Sequence, residues 1–194
     1  MEAAKQLLAD AGWKDTNQNG IVDKNINGEQ VEMDLEYLAT PGSRFANTVA
    51  EILKDNAAQV GINVRITPRE FRAMLGEEVA RREYQLYAGA AASYQLPDDF
   101  FPVLHTASNT ARGQNRTQFG TPETDALIEK IQTTMDVAQR DKLYKSFQRI
   151  VYDEQPMIFL LSPQERLVIS KRFKPQLSSL SPNFVVRNFV HLQK

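Results

Sequence analysis

The stretch of this chain that most resembles a chemical site is DTNQNGIVD, residues 15–23. Its polar side chains fall at positions 1, 3, 5 and 9 of a calcium-binding loop: Asp15, Asn17, Asn19 and Asp23. Gly20 stands at position 6, where such loops turn sharply, but position 12, which should supply a bidentate carboxylate, is Ile26. Only two formal negative charges remain near the ion, so we expect weak calcium binding at most.

The residues on either side of this loop favour a simple turn. Residues 2–11 are rich in helix formers, and Gly12 is a typical helix stop. Residues 31–38 alternate apolar and polar, which is typical of a half-buried strand, whereas a calcium hand needs a second helix there. The pattern therefore predicts a polar connection from a helix to a strand.

The composition is that of a globular protein with one ordinary domain. Of 194 residues, 42% are hydrophobic and 24% charged, with a net charge of -1, so nothing indicates nucleic-acid binding. We find no signal peptide and no apolar run of membrane-spanning length. Cysteine is absent, which excludes disulfides and thiol chemistry. The two histidines, His105 and His191, lack carboxylates at metal-ligand spacing and are interpreted as ordinary surface or packing residues.

Strand and helix patterns alternate through the first half of the chain. A helix begins at the N-cap Ser43 and ends at Gly61, and a strand over residues 62–66 follows, so a parallel strand pair with a right-handed crossover is predicted. Pro68 is expected to end that strand. Residues 69–80 are then predicted as a helix, and residues 84–90 as a strand buried on both faces.

The second half begins with a long irregular segment, residues 91–120, rich in polar and aromatic side chains, with one short helix near residues 98–104. Helices are predicted after Thr121-Pro122 and after Asp136. Strands are predicted over three ranges: 157–161, 166–170 and 184–186. Together the elements predict an α/β fold with a mixed β-sheet flanked by helices.

Binding is better motivated than catalysis. The chain has no glycine-rich phosphate loop and no G-x-S-x-G, H-E-x-x-H or S-x-x-K motif, so we predict neither an enzyme nor a cofactor. The polar and aromatic segment after the strand at residues 84–90 lies where α/β sheets present ligand-contacting residues, beyond the carboxyl ends of their strands.

Five blocks of sequence, taken in order, carry a family resemblance. They are GWKDTNQNGI (12–21), VGINVRI (60–66), YQLPDDFF (94–101), FGTPETDALI (119–128) and RDKLYKSFQRIVYDEQPMIFL (140–160). This set resembles the C-terminal lobe of the family 5 extracytoplasmic solute-binding proteins, the oligopeptide, dipeptide and nickel receptors of ABC importers. The resemblance covers roughly residues 4–174, and in that family the opening loop is a turn between a helix and a strand.

The resemblance implies a lobe of the periplasmic-binding-protein type II fold, with residues 1–194 forming a single lobe and the N-terminal lobe of the same protein lying outside the chain. It implies a receptor without enzymatic activity, periplasmic or extracellular, that closes over a small solute or peptide and delivers it to ABC permease subunits. Contact with the membrane would be made through the permease or a lipid anchor.

The resemblance also implies a ligand-binding segment at residues 87–97. Aligned on Pro97, this segment matches the part of peptide receptors whose aspartate binds the ligand's free α-amino group, and Ser93 stands in its place. Serine cannot make the charge-assisted contact, so we do not expect this position to bind the free amine of an ordinary peptide. The expected ligand contacts are Ser93, Tyr94, Gln95, Asn115, Arg116 and Phe119, with Arg44 as a further candidate.

Two other functions stay open on the sequence alone. The same lobe could sense a solute for a regulatory protein, since a fold does not determine a function, and a DNA-binding or kinase domain in the parent gene would favour that hypothesis. A weak calcium-dependent interaction module rests only on residues 15–23. Charge is also uneven, because residues 1–41 carry eight acidic and three basic side chains whereas residues 166–194 carry six basic and no acidic ones. Either the acidic and basic ends complement each other within one domain or are simply solvated, or the basic end faces a protein part outside the chain.

Overall fold

The structure is a computed structural model of the chain and describes residues 1–90, 98–162, 168, 170–175 and 189–191. The chain divides into two compact units, Met1–Ala90 and Ala91–Lys194, which are described separately. The predicted strand at residues 166–170 lies mostly outside the described residues, and the one at 184–186 lies wholly outside them.

The first unit holds most of the strands. Its helices are α1 (Glu2–Asp10), α2 (Arg44–Ala58) and α3 (Phe71–Met74), and α3 runs directly into a π-helix (Leu75–Val79). Its strands are β1 (Asp23–Ile26), β2 (Glu29–Glu32), β3 (Asp34–Ala39), β4 (Asn63–Pro68) and β5 (Leu86–Tyr87). The predicted helix over residues 69–80 is thus confirmed but begins at Phe71, and it changes its hydrogen-bond pattern after one turn.

The second unit is mainly helical in its described part. Its elements are α4 (Phe101–Leu104), a 3₁₀ turn (Thr106–Ser108), α5 (Pro122–Thr133), α6 (Val137–Glu154), β6 (Phe173–Pro175) and β7 (Phe189–His191). The strands β6 and β7 pair antiparallel. Across the residues described in both units, no helix is long and apolar enough to cross a membrane.

A three-stranded parallel sheet, in the order β4-β3-β5, organises the first unit. The predicted parallel pair is confirmed, with α2 as its crossover. The Ser43 hydroxyl caps α2 by accepting the amide N–H of Ala46, and α2 packs small buried residues, including Ala50 and Ala57, against Tyr37 and Val64 of the sheet. Parallel and antiparallel pairing therefore both occur, but in separate sheets of this α/β fold.

The hairpin of β1 and β2 was not foreseen, and the prediction of one continuous strand over residues 31–38 was wrong. The two-residue turn is Asn27-Gly28, and both residues have positive φ (55° and 92°), which Asn-Gly readily adopts. Met33 separates β2 from β3: its amide donates to Val22 and its carbonyl accepts from Asn63. The Asn-Gly pair was the missed signal.

Two other strand predictions need correction, whereas the prediction that Pro68 ends its strand is confirmed, since Pro68 is the last residue of the edge strand β4. The strand predicted over residues 84–90 is limited to Leu86–Tyr87, and both residues are only half-buried. Residues 157–161 form no ladder with any described strand, and residues 158–161 are exposed.

Gly61 is needed where α2 turns into β4. Its φ is +82°, its carbonyl accepts the Val22 amide at 2.8 Å, and a Cβ at this position would lie 2.8 Å from Val22 Cγ1. We expect Gly61→Ala to destabilise the chain by about 1–3 kcal/mol through backbone strain and this clash. Gly76→Ala is the matched control, because Gly76 has open space around it, and urea unfolding should show no comparable loss. Equal unfolding midpoints for the two variants would contradict the role of Gly61.

The two long helices of the second unit begin where the sequence predicted. Thr121 and Thr124 form a reciprocal capping box at α5, and the Asp136 carboxylate accepts the Gln139 amide at the start of α6. The helices pack through an apolar cluster centred on Phe147, which is 1% exposed. Phe147 stacks on Phe100 at 5.0 Å between ring centroids.

Candidate functional site

The carboxyl edge of the three-stranded sheet is the candidate site in the first unit. Since β3, β4 and β5 are parallel, they end at the same edge, at Ala39, Pro68 and Tyr87. Ligands of open α/β sheets commonly bind beyond this edge. Ser93, Tyr94 and Gln95 follow β5 within a few residues in sequence, but residues 91–97 lie outside the described part of the chain, so their contact with a ligand stays a prediction.

Arg44 lies at the same edge, because it is the first residue of α2 and α2 begins just after β3. Its side chain is exposed, and so are two aromatic rings that follow β3 and β4 in the chain, Phe45 at 46% and Phe71 at 47%. A guanidinium and exposed aromatic rings can bind a solute that carries both an acidic group and apolar parts. The topology therefore supports Arg44 as a candidate contact.

A second arginine at this edge is already paired. Arg69 follows β4 directly, its amide donates to Ala39 O, and its Nε lies 2.7 Å from Glu78 Oε1. The backbone N–H of Glu78 and the Arg69 guanidinium together lower the pKa of the Glu78 carboxyl, against the opposing effect of burial. The pair links the last turn of the π-helix to the end of β4 and leaves the Arg69 charge balanced.

Asn115, in the second unit, is fully buried at 0% exposure. Its side-chain amide donates to His105 O at 3.0 Å and to Phe119 O at 2.8 Å, and its oxygen accepts the Thr117 hydroxyl at 3.4 Å. We therefore expect Asn115 to hold the segment from His105 to Phe119 in shape rather than to touch a solute. The sequence identified the residue but gave no sign of this role.

Phe119 and Arg116 are both half-buried. The Phe119 ring packs edge-on against Phe147, with ring centroids 6.3 Å apart, so part of it belongs to the apolar cluster of the second unit. Arg116 has an interaction of its own within the chain. Both stay candidate contacts through the surface that remains open. They lie in the second unit, whereas Arg44 lies in the first.

Sequence reasoning missed the surroundings of His105, which is 6% exposed. Its Nδ1 accepts the Ala107 amide, its ring stacks on Phe101 at 4.0 Å, and two carboxylates of α5, Asp125 and Glu129, lie 3.6 and 3.5 Å from its nitrogens. Asp125 and Glu129 are four residues apart on one helix face, which was the available signal. Within the described ranges, no three His, Asp or Glu side chains form a metal-binding group.

The loop at residues 15–23 joins α1 to β1, as the turn interpretation predicts. The Asp15 carboxylate accepts the amides of Asn19 and Gly20 at 3.1 and 2.9 Å. The side-chain oxygen of Asn17 accepts the Asn19 amide, and that of Asn19 accepts the Ile21 amide. These oxygens satisfy the backbone of the turn itself, which favours a structural loop over a calcium site.

Asp23 is 1% exposed and anchors the loop. Its carboxylate accepts the Thr16 amide at 2.9 Å and hydroxyl at 2.8 Å, and also the Gln30 amide group. Burial alone would raise the pKa of Asp23, but the hydrogen bonds from Thr16 and Gln30 outweigh it, so its pKa lies below the usual value of 3.8. A depressed pKa contributes stability above the unfolded-state value, and this contribution is lost as the pH falls through the folded-state value.

We expect the melting temperature of the native chain to fall as the pH is lowered from about 5 to 2. Asp23→Asn should melt at a lower temperature at pH 7, because the neutral side chain has only one oxygen to accept the three hydrogen bonds that the carboxylate accepts. Its melting temperature should fall less on acidification, because Asn does not titrate. Thr16→Val, which removes the hydroxyl but keeps the backbone amide that donates to Asp23, should be intermediate. Circular dichroism melts at each pH make the comparison, and an Asp23→Asn profile that follows the native one throughout would refute the role of Asp23.

Comparison with known proteins gives matches along most of the chain. A profile for bacterial extracellular solute-binding proteins, family 5 Middle, matches residues 1–112. The oligopeptide-binding protein AppA of Bacillus subtilis is 26% identical over 172 residues, which are 88% of this chain and 31% of AppA. The dipeptide-binding protein of Escherichia coli is 24% identical over 159 residues, 82% of this chain and 28% of that protein.

Solved structures show the same fold. AppA of Bacillus subtilis, in complex with a nonapeptide, superposes with a TM-score of 0.79 and 23% identity, covering 100% of this chain and 37% of AppA. NikZ of Campylobacter jejuni, in complex with Ni(L-His), has a TM-score of 0.65 and 20% identity over 80% of this chain and 30% of NikZ. The chain spans about a third of the length of these relatives. It belongs to the family 5 bacterial extracellular solute-binding proteins.

Proposed function

We propose that this chain is one lobe of a receptor that binds a peptide or peptide-like solute for an ABC importer. The observation that carries the proposal is the match to peptide-binding proteins along most of the chain, in sequence and in fold. Family 5 solute-binding proteins are transport receptors without enzymatic activity. This supports a chain that binds a solute rather than transforming it.

The expected mechanism is closure of two lobes over the solute. Residues 1–194 supply one lobe, and the rest of the parent protein supplies the other. In AppA, the part outside the matched region is about twice as long as that region. A ligand that touches both lobes stabilises the closed form by its differential affinity, and the closed receptor then delivers the solute to permease subunits. We place the receptor in the periplasm or outside the cell. This is supported by a relative, the peptide transport periplasmic protein SapA of Salmonella typhimurium.

Within this proposal, Ser93 sets which peptides bind. A carboxylate at this position would make a charge-assisted hydrogen bond to a peptide's free amine, about twice as strong as a neutral one. Serine offers only a neutral hydroxyl. We therefore propose that the receptor prefers solutes without a free amine at this point, such as a blocked peptide.

The experiment measures binding of a tripeptide with a free amine and of its N-acetylated form to the full product of the gene that encodes this chain. By calorimetry, we expect the acetylated form to bind at least as tightly. Ser93→Asp should improve binding of the free-amine peptide about tenfold or more, because a salt-bridged hydrogen bond contributes roughly 1.5–3 kcal/mol. Ser146→Asp, an exposed position on α6, is the matched control and should change neither affinity.

Two results would count against the proposal. No binding of any peptide, free or blocked, would remove the peptide class. Tight binding of the free-amine form to the native protein, unchanged by Ser93→Asp, would show that the amine is held elsewhere, and only the assignment of Ser93 would then fail.

A further inference from the structure

His105 is a buried titratable side chain to which the proposed binding of a solute gives no role. It is 6% exposed, and its ring stacks on Phe101 with 4.0 Å between the ring centroids. Its Nδ1 accepts the amide N–H of Ala107 at 3.0 Å, so in this arrangement the ring is neutral and carries its proton on Nε2. Among the described residues, that buried nitrogen has no hydrogen-bond partner, which calls for an explanation.

Two carboxylates of α5 face the ring, one at each nitrogen. Asp125 Oδ1 lies 3.6 Å from Nδ1, and Glu129 Oε1 lies 3.5 Å from Nε2. In the described part of the chain, α4 and the 3₁₀ turn add no titratable side chain next to the ring. The segment 115–119 adds one charged residue, Arg116, which has an interaction of its own. A proton on Nδ1 would therefore find a carboxylate close by to pair with.

Protonation of the ring would break one hydrogen bond of the 3₁₀ turn. An imidazolium carries a hydrogen on both nitrogens, so Nδ1 could no longer accept the Ala107 amide, and two N–H donors would face each other at 3.0 Å. The charged ring can pair with Asp125 instead, but that carboxylate already accepts the amide and the hydroxyl of Thr106, the first residue of the turn. The turn must therefore move when the ring becomes charged.

The 3₁₀ turn is joined to the segment that carries two of the candidate ligand contacts. The carbonyl of His105 accepts the Ser108 amide and the side-chain amide of Asn115. The carbonyl of Ser108 in turn accepts the backbone amide of Asn115 at 3.3 Å. Because the Asn115 side chain also donates to the Phe119 carbonyl, a shift of the turn reaches Arg116 and Phe119 through a continuous set of hydrogen bonds.

We infer that His105 makes the shape of residues 105–119 depend on pH. With the ring neutral, the segment is held in the form described above. With the ring protonated, Ala107 loses its acceptor and the segment loosens. Histidine is the side chain whose charge ordinarily changes between pH 5 and 8. A resulting loss of solute affinity, through Arg116 and Phe119, rests on the proposed function, whereas the change of shape does not.

Hydrogen exchange of the full product of the gene that encodes this chain, at pH 8 and at pH 5, tests the inference. Each rate is divided by that of an unstructured chain at the same pH, because intrinsic exchange itself depends on pH. We expect the protection of residues 105–119 to fall at least about tenfold at pH 5 relative to the protection of α6, which is the internal control. An unchanged ratio between the two regions would overturn the inference.

His105→Asn separates the charge of the ring from its hydrogen bond. Asn readily accepts the amide two residues ahead, as His105 does here, but it gains no proton in this pH range. The variant should keep the protection of residues 105–119 at pH 8 and show no selective loss at pH 5. A loss that persists in His105→Asn would show that another group titrates and would overturn the inference.

Glu129→Gln gives a readout that a purely structural role of the histidine would not move. It removes the charge that faces Nε2 and keeps the shape of the side chain, so the pH midpoint of the transition should move to lower pH by about 0.3 units or more. Glu154→Gln, the same change at an exposed position of α6 that makes no ion pair with His105, should leave the midpoint in place. Equal midpoints in the native protein and Glu129→Gln would contradict the assignment to His105.

Solute binding distinguishes this inference from the proposed function. If both hold, the affinity for a bound peptide should fall about threefold or more between pH 8 and pH 5 in the native protein and stay nearly constant in His105→Asn. Selective loss of protection in a protein that binds no peptide would support the pH-dependent segment and count against the peptide receptor. Peptide binding with no selective loss of protection would do the reverse.

Discussion

Replacing Phe147 with alanine is expected to destabilise the second unit by about 3–5 kcal/mol. The ring is 1% exposed, stacks on Phe100 and meets Phe119 edge-on, and it lies at the centre of the cluster that joins α5 to α6. Alanine would leave a cavity between two helices whose other contacts hold their backbones apart, so the site cannot collapse fully. The cost is therefore both the lost burial and the void.

The measurement is native-state hydrogen exchange of the amides in α5 and α6, which should become about 100-fold faster or more in Phe147→Ala. Tyr152→Ala is the matched control, because Tyr152 is an aromatic residue of the same helix but is 65% exposed. It should change exchange by less than about threefold, in line with a surface substitution. Similar effects of the two substitutions would show that Phe147 is not the centre of this core.

The local elements were largely predictable because each carries its own signal. The caps at Ser43, Thr121 and Asp136 fixed the starts of three helices, and all three side chains accept the predicted type of hydrogen bond. The parallel pairing of β3 and β4 followed from the order strand, helix, strand with short connections. These features depend on residues close together in sequence, so a single sequence contains them.

Two strand predictions failed, one for a feature that depends on distant residues and one for a feature that is local in sequence. An apolar run such as residues 158–161 looks like a strand, but whether it pairs depends on the rest of the protein, and within the described chain it does not. The β1-β2 hairpin has a local signal, the Asn27-Gly28 turn, and was missed because the alternation of residues 31–38 continues through the break at Met33.

For the candidate site, the sequence located the sheet edge but not the roles of its residues. Arg44 lies at the expected edge because its position follows from the helix start. The role of Asn115 could not be assigned from sequence, since a buried amide that joins two carbonyls and a polar ligand contact use the same residue type. Only the hydrogen bonds of the Asn115 amide to the carbonyls of His105 and Phe119 distinguish the structural role from the ligand contact.

Asn115→Ala is expected to destabilise the second unit by about 2–3 kcal/mol, since it leaves the carbonyls of His105 and Phe119 without their shared donor in a buried place. Asn115→Asp should be no better, because a carboxylate has the same shape but puts negative charge beside two carbonyl oxygens. The loss of stability should be largest in the segment from His105 to Phe119, whose ends the Asn115 amide joins. Amides in residues 105–120 should therefore exchange faster than those of α6.

Gln148→Ala is the matched control, because it removes the same amide group from an exposed position on α6 and should leave both regions unchanged. In the full gene product, Asn115→Ala separates the two possible roles of the residue. If Asn115 only shapes the segment, lost solute affinity should track the loss of protection in residues 105–120 and recover when the segment is stabilised by lower temperature. If affinity falls while protection of that segment stays native, Asn115 touches the solute directly, and the assignment of a structural role to its amide is wrong.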